Sequence, residues 1–337
     1  MNVLTCAVSK QGRGNSAEEW RDPGLMDFLE NLRNPDSTLR SGLTLLLLMI
    51  VFAIVICGGV AGYIDYRMLH PVSSRTSLTP EDLPGHVTVV QYTLPGRGGR
   101  DGWFFPGLRG APVLILCHGY MWQRGDVLTL ATTLEENQYN VFVFDFSGHG
   151  RSTGSTTMGP RETTEVLTAI AVMAQRTDVD RNRVGLWGAD MGAYAALAAA
   201  AADRRVASVV VDSVYNDPFD FFTIELDRDG YGTMPLIGWM CRMGFRIAEL
   251  PYRGQPPLDA RLGALAKIPK LFIALRESPK LAASTLQLMN AAPEPREQWV
   301  MPQASYLTMT NDEKRTYDNT VLSFFLRTLP PVPSASR

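Results

Sequence analysis

Five apolar stretches, each with hardly a polar interruption, constrain this chain most: APVLILC (111–117), NVFVFDF (140–146), RVGLWG (183–188), VASVVVD (206–212) and KLFIAL (270–275). A strand that is apolar on both faces must be covered on both faces, which is the condition of a parallel sheet inside an α/β protein. The segments between them read as helices: GDVLTLATTLEENQ (125–138), PRETTEVLTAIAVMAQR (160–176), with Pro160 suited to a first turn, and 191–202. EQWVMP (297–302) is a further strand, and DEKRTYDNTVLSFFLRTL (312–329) closes the domain as a helix. Two earlier segments, VTVVQYTL (87–94) and GWFFP (102–106), flank a Gly/Arg turn and predict an antiparallel edge. The glycines of that turn form no phosphate loop, because no strand-to-helix transition surrounds them. Residues 215–265, rich in Phe, Met, Gly and Pro, interrupt the alternation and predict a small cap over the end of the sheet.

Ahead of this domain lies GLTLLLLMIVFAIVICGGVAGYI (42–64), without a single charge. About 20 apolar residues in a helix cross the hydrocarbon layer, so the run predicts one uncleaved transmembrane anchor. About forty polar residues precede it, and it exceeds the h-region of a signal peptide. Arg33 and Arg40 before the run balance Arg67 and Arg75 after it, so charge does not decide the topology. Analogy with other signal anchors favours the extracytoplasmic side for the large domain. The organisation expected is a polar tail at 1–41, which is mobile or carries a short amphipathic helix around 23–32. The anchor (42–64), the domain (80–328, cap at 215–265) and a disordered tail (329–337) follow. The net charge of −2 gives no sign of a nucleic-acid partner. Cys6, Cys57, Cys117 and Cys241 form no CxxC pair and no His/Cys cluster, so neither a metal nor a cofactor is implied.

Three motifs occur in order: CHGY (117–120), DFSGHGRSTG (145–154) and DRNRVGLWGADMGA (180–193). In this register the chain resembles the α/β-hydrolase superfamily, and within it the serine-aminopeptidase-like or monoacylglycerol-lipase-like members, including membrane-anchored bacterial ones. The resemblance covers about residues 80–328. It implies a mostly parallel sheet with helices on both faces and a turn G-x-S-x-G that holds a nucleophile above the sheet. It also implies an oxyanion hole from the backbone N–H groups of Met191 and of a residue in the HGYM loop, Tyr120.

The side chains depart from the pattern. Asp190 stands where the family carries its serine. Ser278, with Glu277 beside it, stands at the acid position after KLFIAL. Tyr306 stands at the histidine position after EQWVMP. The four histidines are His70, His86, His118 and His149, so none follows residue 149. A serine needs a base to take its proton. An aspartate nucleophile, as in dehalogenase-like and epoxide-hydrolase-like members, still needs one to activate water against the ester intermediate. His118 and His149 match histidines that look structural in the family. Asp212, where some relatives keep their acid, reads as a loop hydrogen-bonding residue. Tyr306 is a poor base, with a reference pKa of about 10. GRSTG (150–154) is a chance match to the nucleophile motif, because no buried strand precedes it. The cap stretch 230–250 offers apolar side chains that line an acyl pocket, touch the bilayer or pack onto the body.

The expectation is a membrane-anchored, catalytically impaired hydrolase fold that binds an apolar ligand or a partner protein. The alternative is an active hydrolase on esters, lipids or peptides with a site rearranged around Asp190. A scaffold whose tail recruits partners is a third reading.

Overall fold

A computed structural model describes residues 23–34, 37–71, 79–83, 86–96, 98–302 and 305–332. Cys6, most of the polar tail (1–22) and residues 333–337 lie outside them. The chain divides into two units, residues 1–57 and 58–337. The first contains α1 (Pro23–Arg33) and most of α2 (Thr38–Leu69). Of the two readings of the tail, a helix thus forms at 23–33. Among the described residues α2 is the one helix long and apolar enough to cross a membrane. It runs five residues past the apolar segment, and its last turns belong to the second unit.

That unit is built on an eight-stranded sheet in the order β1-β2-β4-β3-β5-β6-β7-β8. The strands are β1 (Thr88–Leu94), β2 (Gly98–Phe105), β3 (Val113–Cys117), β4 (Asn140–Phe144), β5 (Val184–Ala189), β6 (Val206–Asp212), β7 (Lys270–Leu275) and β8 (Arg296–Met301). From β4 to β8 all neighbours pair in parallel, and β1 and β2 form the antiparallel edge. β2 begins four residues earlier than GWFFP suggests, because Gly98 to Asp101 pair with Leu94 to Gln91.

The helices are α3 (Leu128–Glu136), α4 (Pro160–Met173), α5 (Met191–Ala202), α6 (Pro218–Arg228), α7 (Pro235–Ala248), α8 (Pro279–Ala291) and α9 (Asn311–Thr328). Alternation along β3 shows why its sequence is continuously apolar. Val113, Ile115 and Cys117 face the core under α4, α5 and α6, and Leu114 and Leu116 face the core under α3 and α9. Strand side chains alternate between faces, so a central strand with helices on both sides is apolar at every position, as β3 is.

Two expectations need correction. α8 goes unmentioned in the periodicity reading, although Pro279 at its first position signals it. The tail expected to be loose from 329 is bound as far as 332: Leu329 is buried, its carbonyl accepts from Tyr139, and Arg183 donates to the carbonyls of Pro330 and Val332. The predicted cap holds α6, α7 and short 3-10 turns. Cys57, Cys117 and Cys241 carry free thiols.

Candidate functional site

β5 ends at Ala189, and the next residue, Asp190, has φ 47° and ψ −112° before α5 begins at Met191. This tight reversal exists because two glycines let three backbones meet. A Cβ on Gly188 would lie 2.3 Å from the carbonyl oxygen of Gly192, and one on Gly192 would lie 2.1 Å from that of Cys117. The Asp190 N–H donates to the Asp212 carbonyl (2.9 Å), and its own carbonyl accepts from Tyr194 N–H (3.0 Å). The reversal projects the Asp190 side chain above the carboxyl ends of the strands, where ligands bind in open α/β sheets.

The side chain enters a cavity of about 350 Å³. Tyr120, Trp122, Phe221 and Leu281 form apolar walls, and Asp212, Ser213, Glu225 and Glu277 supply polar groups. Ser278 and Tyr306 line it too, so the three residues expected from the sequence come together around one space. Among the described residues no three His, Cys, Asp or Glu side chains group so as to hold a metal ion.

Of the three, Tyr306 is held by partners outside the cavity. Tyr306 is fully buried. Its hydroxyl donates to Asp318 (3.0 Å) and lies 2.6 Å from the Thr129 hydroxyl. Its ring stacks on Trp122 and meets Tyr317 edge-on. Burial raises its pKa further, so it is no base at neutral pH. Ser278 is the residue before α8, with no capping bond from its side chain. Glu277 accepts from the Ser305 N–H (3.2 Å) and ties the loop of Tyr306 to the end of β7.

Asp190 has lost its partners. No hydrogen bond reaches its carboxyl among the described residues, and Oδ2 leans against Gly119, where a Cβ would approach it to 2.7 Å. Burial first, and then the neighbouring Glu225 and Asp212, hold its pKa well above the ordinary carboxylate value. Burial also lifts Glu225 to about 7, although Arg228 pairs with it. Asp212 accepts from the hydroxyls of Tyr317 (2.8 Å) and Ser213 (2.9 Å) and is lifted to about 6, again by burial. Trp187 donates to the same Tyr317 hydroxyl (3.1 Å).

The histidines hold loops. His118 Nδ1–H donates to the Gly119 carbonyl (2.8 Å), and its Nε2 accepts from Phe146 N–H (3.1 Å). Burial lowers it to about 4. His149 donates to the Ser147 carbonyl (3.2 Å), and burial beside His118 lowers it to about 3. His70 is at the end of α2 and His86 precedes β1. In GRSTG the Ser152 hydroxyl donates to the Asp145 carbonyl (2.8 Å), so that serine holds a loop. The backbone N–H groups of Tyr120 and Met191 donate to no backbone carbonyl among the described residues.

Glu225 and Arg228 are the site residues that the sequence reading missed. A signal existed: Glu225 follows Phe221 and Phe222 on the buried face of α6, where an acidic residue has no structural reason to be.

A family model described as the alpha/beta hydrolase family matches residues 114–334. The chain belongs to the α/β hydrolase family. As an α/β hydrolase it is 32% identical over 120 residues to an uncharacterized 31.7 kDa protein from the traX–finO intergenic region of Escherichia coli, a match over 35% of this chain and 42% of that one. The chain thus spans less than half the length of that relative. Uncharacterized YfhR of Escherichia coli O157:H7 is 23% identical over 258 residues, 74% of this chain and 84% of that protein. Among solved structures, an esterase of Pyrococcus furiosus superposes with a TM-score of 0.62 at 21% identity, over 78% of this chain and 99% of that one. At that identity the likeness shows the shared hydrolase fold.

Proposed function

We propose that this α/β hydrolase is a single-pass membrane protein whose pocket binds an apolar ligand, or the contact segment of a partner protein, without turning it over. One observation carries the reading: among the described residues no histidine lines the cavity that the Asp190 carboxyl enters. The residue at the histidine position, Tyr306, is bound to Thr129 and Asp318, and His118 and His149 are engaged in the loops beneath. With its pKa raised, Asp190 is held toward the protonated form, which attacks nothing and donates a hydrogen bond. Apolar walls with a few polar groups suit a ligand with an apolar body and a polar end.

The rival is a hydrolase working through Asp190. In its favour, the reversal at Asp190 keeps its strained φ, and the N–H groups of Tyr120 and Met191 have no backbone partner among the described residues, as oxyanion donors need. The similar Pyrococcus furiosus structure is an esterase.

A fluorophosphonate probe and a short p-nitrophenyl ester distinguish the two in the detergent-solubilised full chain. The expected result is no labelling and no hydrolysis above background. Ester hydrolysis that Asp190→Asn abolishes would establish the rival. Labelling that is lost with Ser152→Ala or Ser278→Ala would show a different nucleophile.

The membrane part of the proposal rests on α2 and its uncharged run, with the large domain on the extracytoplasmic side by analogy with signal anchors. Alkaline carbonate should leave the full-length chain in the membrane pellet. Recovery of a shortened soluble chain starting near residue 60 would contradict the anchor.

A further inference from the structure

The cap helix α7 is apolar on two opposite faces. Gly238, Cys241 and Phe245 are buried. Leu236, Trp239, Met243 and Ile247, on the other side, are 47%, 59%, 42% and 63% exposed. At 3.6 residues per turn these four fall on one stripe, and Leu250 just beyond the helix extends it to about 20 Å. A helix facing water places polar residues opposite its core side. Here no acidic residue occurs on α7, and its two arginines are occupied elsewhere. Arg242 pairs with Asp227 (3.0 Å), and the Arg246 guanidinium lies over the Phe219 ring at 4.0 Å.

The neighbours of α7 indicate what covers the exposed face. Phe245 of the buried face stacks on Phe222 of α6, and the flank beside it packs on the last turns of α2: the end of Met240 lies against Gly58, the Cys241 thiol donates to the Ala61 carbonyl (3.7 Å), and Gly244 sits against the Asp65 carboxyl. Gly58 and Ala61 belong to the apolar run itself, so α7 lies at the level where that run ends. Exposed aromatics gather there: Tyr63 and Tyr66 on α2, Tyr231 just before α7, and Trp239. Tyr and Trp concentrate at the headgroup level of a bilayer. A crevice of about 170 Å³, lined by Tyr63, Ile64, Met68 and Tyr231, shares Tyr120 and Met121 with the cavity of Asp190.

We propose that the outer face of α7 docks on the lipid bilayer beside the end of α2, as an interfacial helix, and that the crevice between the end of α2 and Tyr231 connects the bilayer to the Asp190 cavity. The proposal rests on the reading of residues 42–64 as a membrane span. Docking places the apolar stripe among acyl chains and makes a membrane lipid the ligand with the shortest route into the pocket.

The test uses the native tryptophan. The full chain is reconstituted in phosphatidylcholine vesicles with or without acyl-chain-brominated phosphatidylcholine, and wild type is compared with Trp239→Phe. Bromolipid should quench wild type clearly more than Trp239→Phe, and Ile247→Trp in the Trp239→Phe background should restore the difference. Carbonate extraction of the same vesicles separates the two possible failures. If the chain stays in the vesicles and both proteins are quenched alike, docking is wrong while the anchor stands. If carbonate releases the chain, the anchor and the docking fail together. Shielding of Trp239 from bromolipid by a cross-linkable second copy would also overturn the proposal.

Discussion

Asp190→Asn is expected to raise the midpoint of thermal unfolding, and to raise it more at pH 8 than at pH 5. A carboxyl in the unfolded chain ionises near pH 4, and in the fold burial and the neighbours Glu225 and Asp212 move ionisation of Asp190 well upward. Below about pH 4 both states hold the proton, and the residue costs little. As pH rises toward the folded pKa the unfolded state gains from ionisation and the folded state does not, so stability is lost over that window. Each unit of separation corresponds to about 1.4 kcal/mol, or roughly 3–6 °C for a domain of this size. Asparagine keeps the side-chain shape at this strained position and removes the titration. Melting curves of the solubilised chain at pH 5 and pH 8 provide the measurement. Glu225→Gln, at a group lifted to about 7, should repeat the pattern with a smaller gain, because Arg228 already compensates part of that charge. A fall in midpoint with Asp190→Asn at pH 8 would mean that the carboxylate is stabilised by something these contacts do not include.

Placing the triad that the family resemblance implies at these positions together, Asp190→Ser, Ser278→Asp and Tyr306→His, is expected to create esterase activity where none of the single changes does. All three positions line one cavity, and the backbone turn that presents residue 190 is held by Gly188 and Gly192 whatever its side chain. A serine without a base is a weak nucleophile, and triad members act as a unit. The triple variant should therefore exceed the uncatalysed hydrolysis of p-nitrophenyl butyrate by on the order of a hundredfold, and reverting any one position should return it to background. The change at 306 has a structural cost. It takes a hydroxyl from Thr129 and Asp318 and a ring from Trp122 and Tyr317, about 2 kcal/mol for polar groups left unpaired. Tyr306→Phe, which loses the hydroxyl alone, measures that cost separately. A folded triple variant without activity would show that more than side chains separates this site from a working hydrolase.

The layout of the strands was legible because a sheet covered on both faces demands unbroken apolar segments, and the bounds of β7 and α5 follow from apolar run and turn signals alone. The elbow was legible for a related reason: Gly188 and Gly192 occupy places where a methyl group would strike backbone, a local requirement that spacing records. The absence of a histidine after residue 149 needed only the sequence.

What the sequence could not contain is the destination of each side chain. The same Tyr306 could have turned its hydroxyl into the cavity, and its engagement with Thr129 and Asp318 depends on α3 and α9 converging there from residues 177 positions before it and 12 after it. Asp212 is a loop-end carboxylate in sequence and becomes the acceptor of Tyr317 only because α9 crosses the end of β6. Glu225 lines the cavity because the cap folds back over the sheet, and the raised pKa values of the whole group come from that enclosure. Sequence determined the scaffold because apolar periodicity and glycine sterics act over a few residues. Tertiary structure decided the chemistry of the pocket, because burial, hydrogen-bond partners and neighbouring charges are supplied by elements that meet only in the fold.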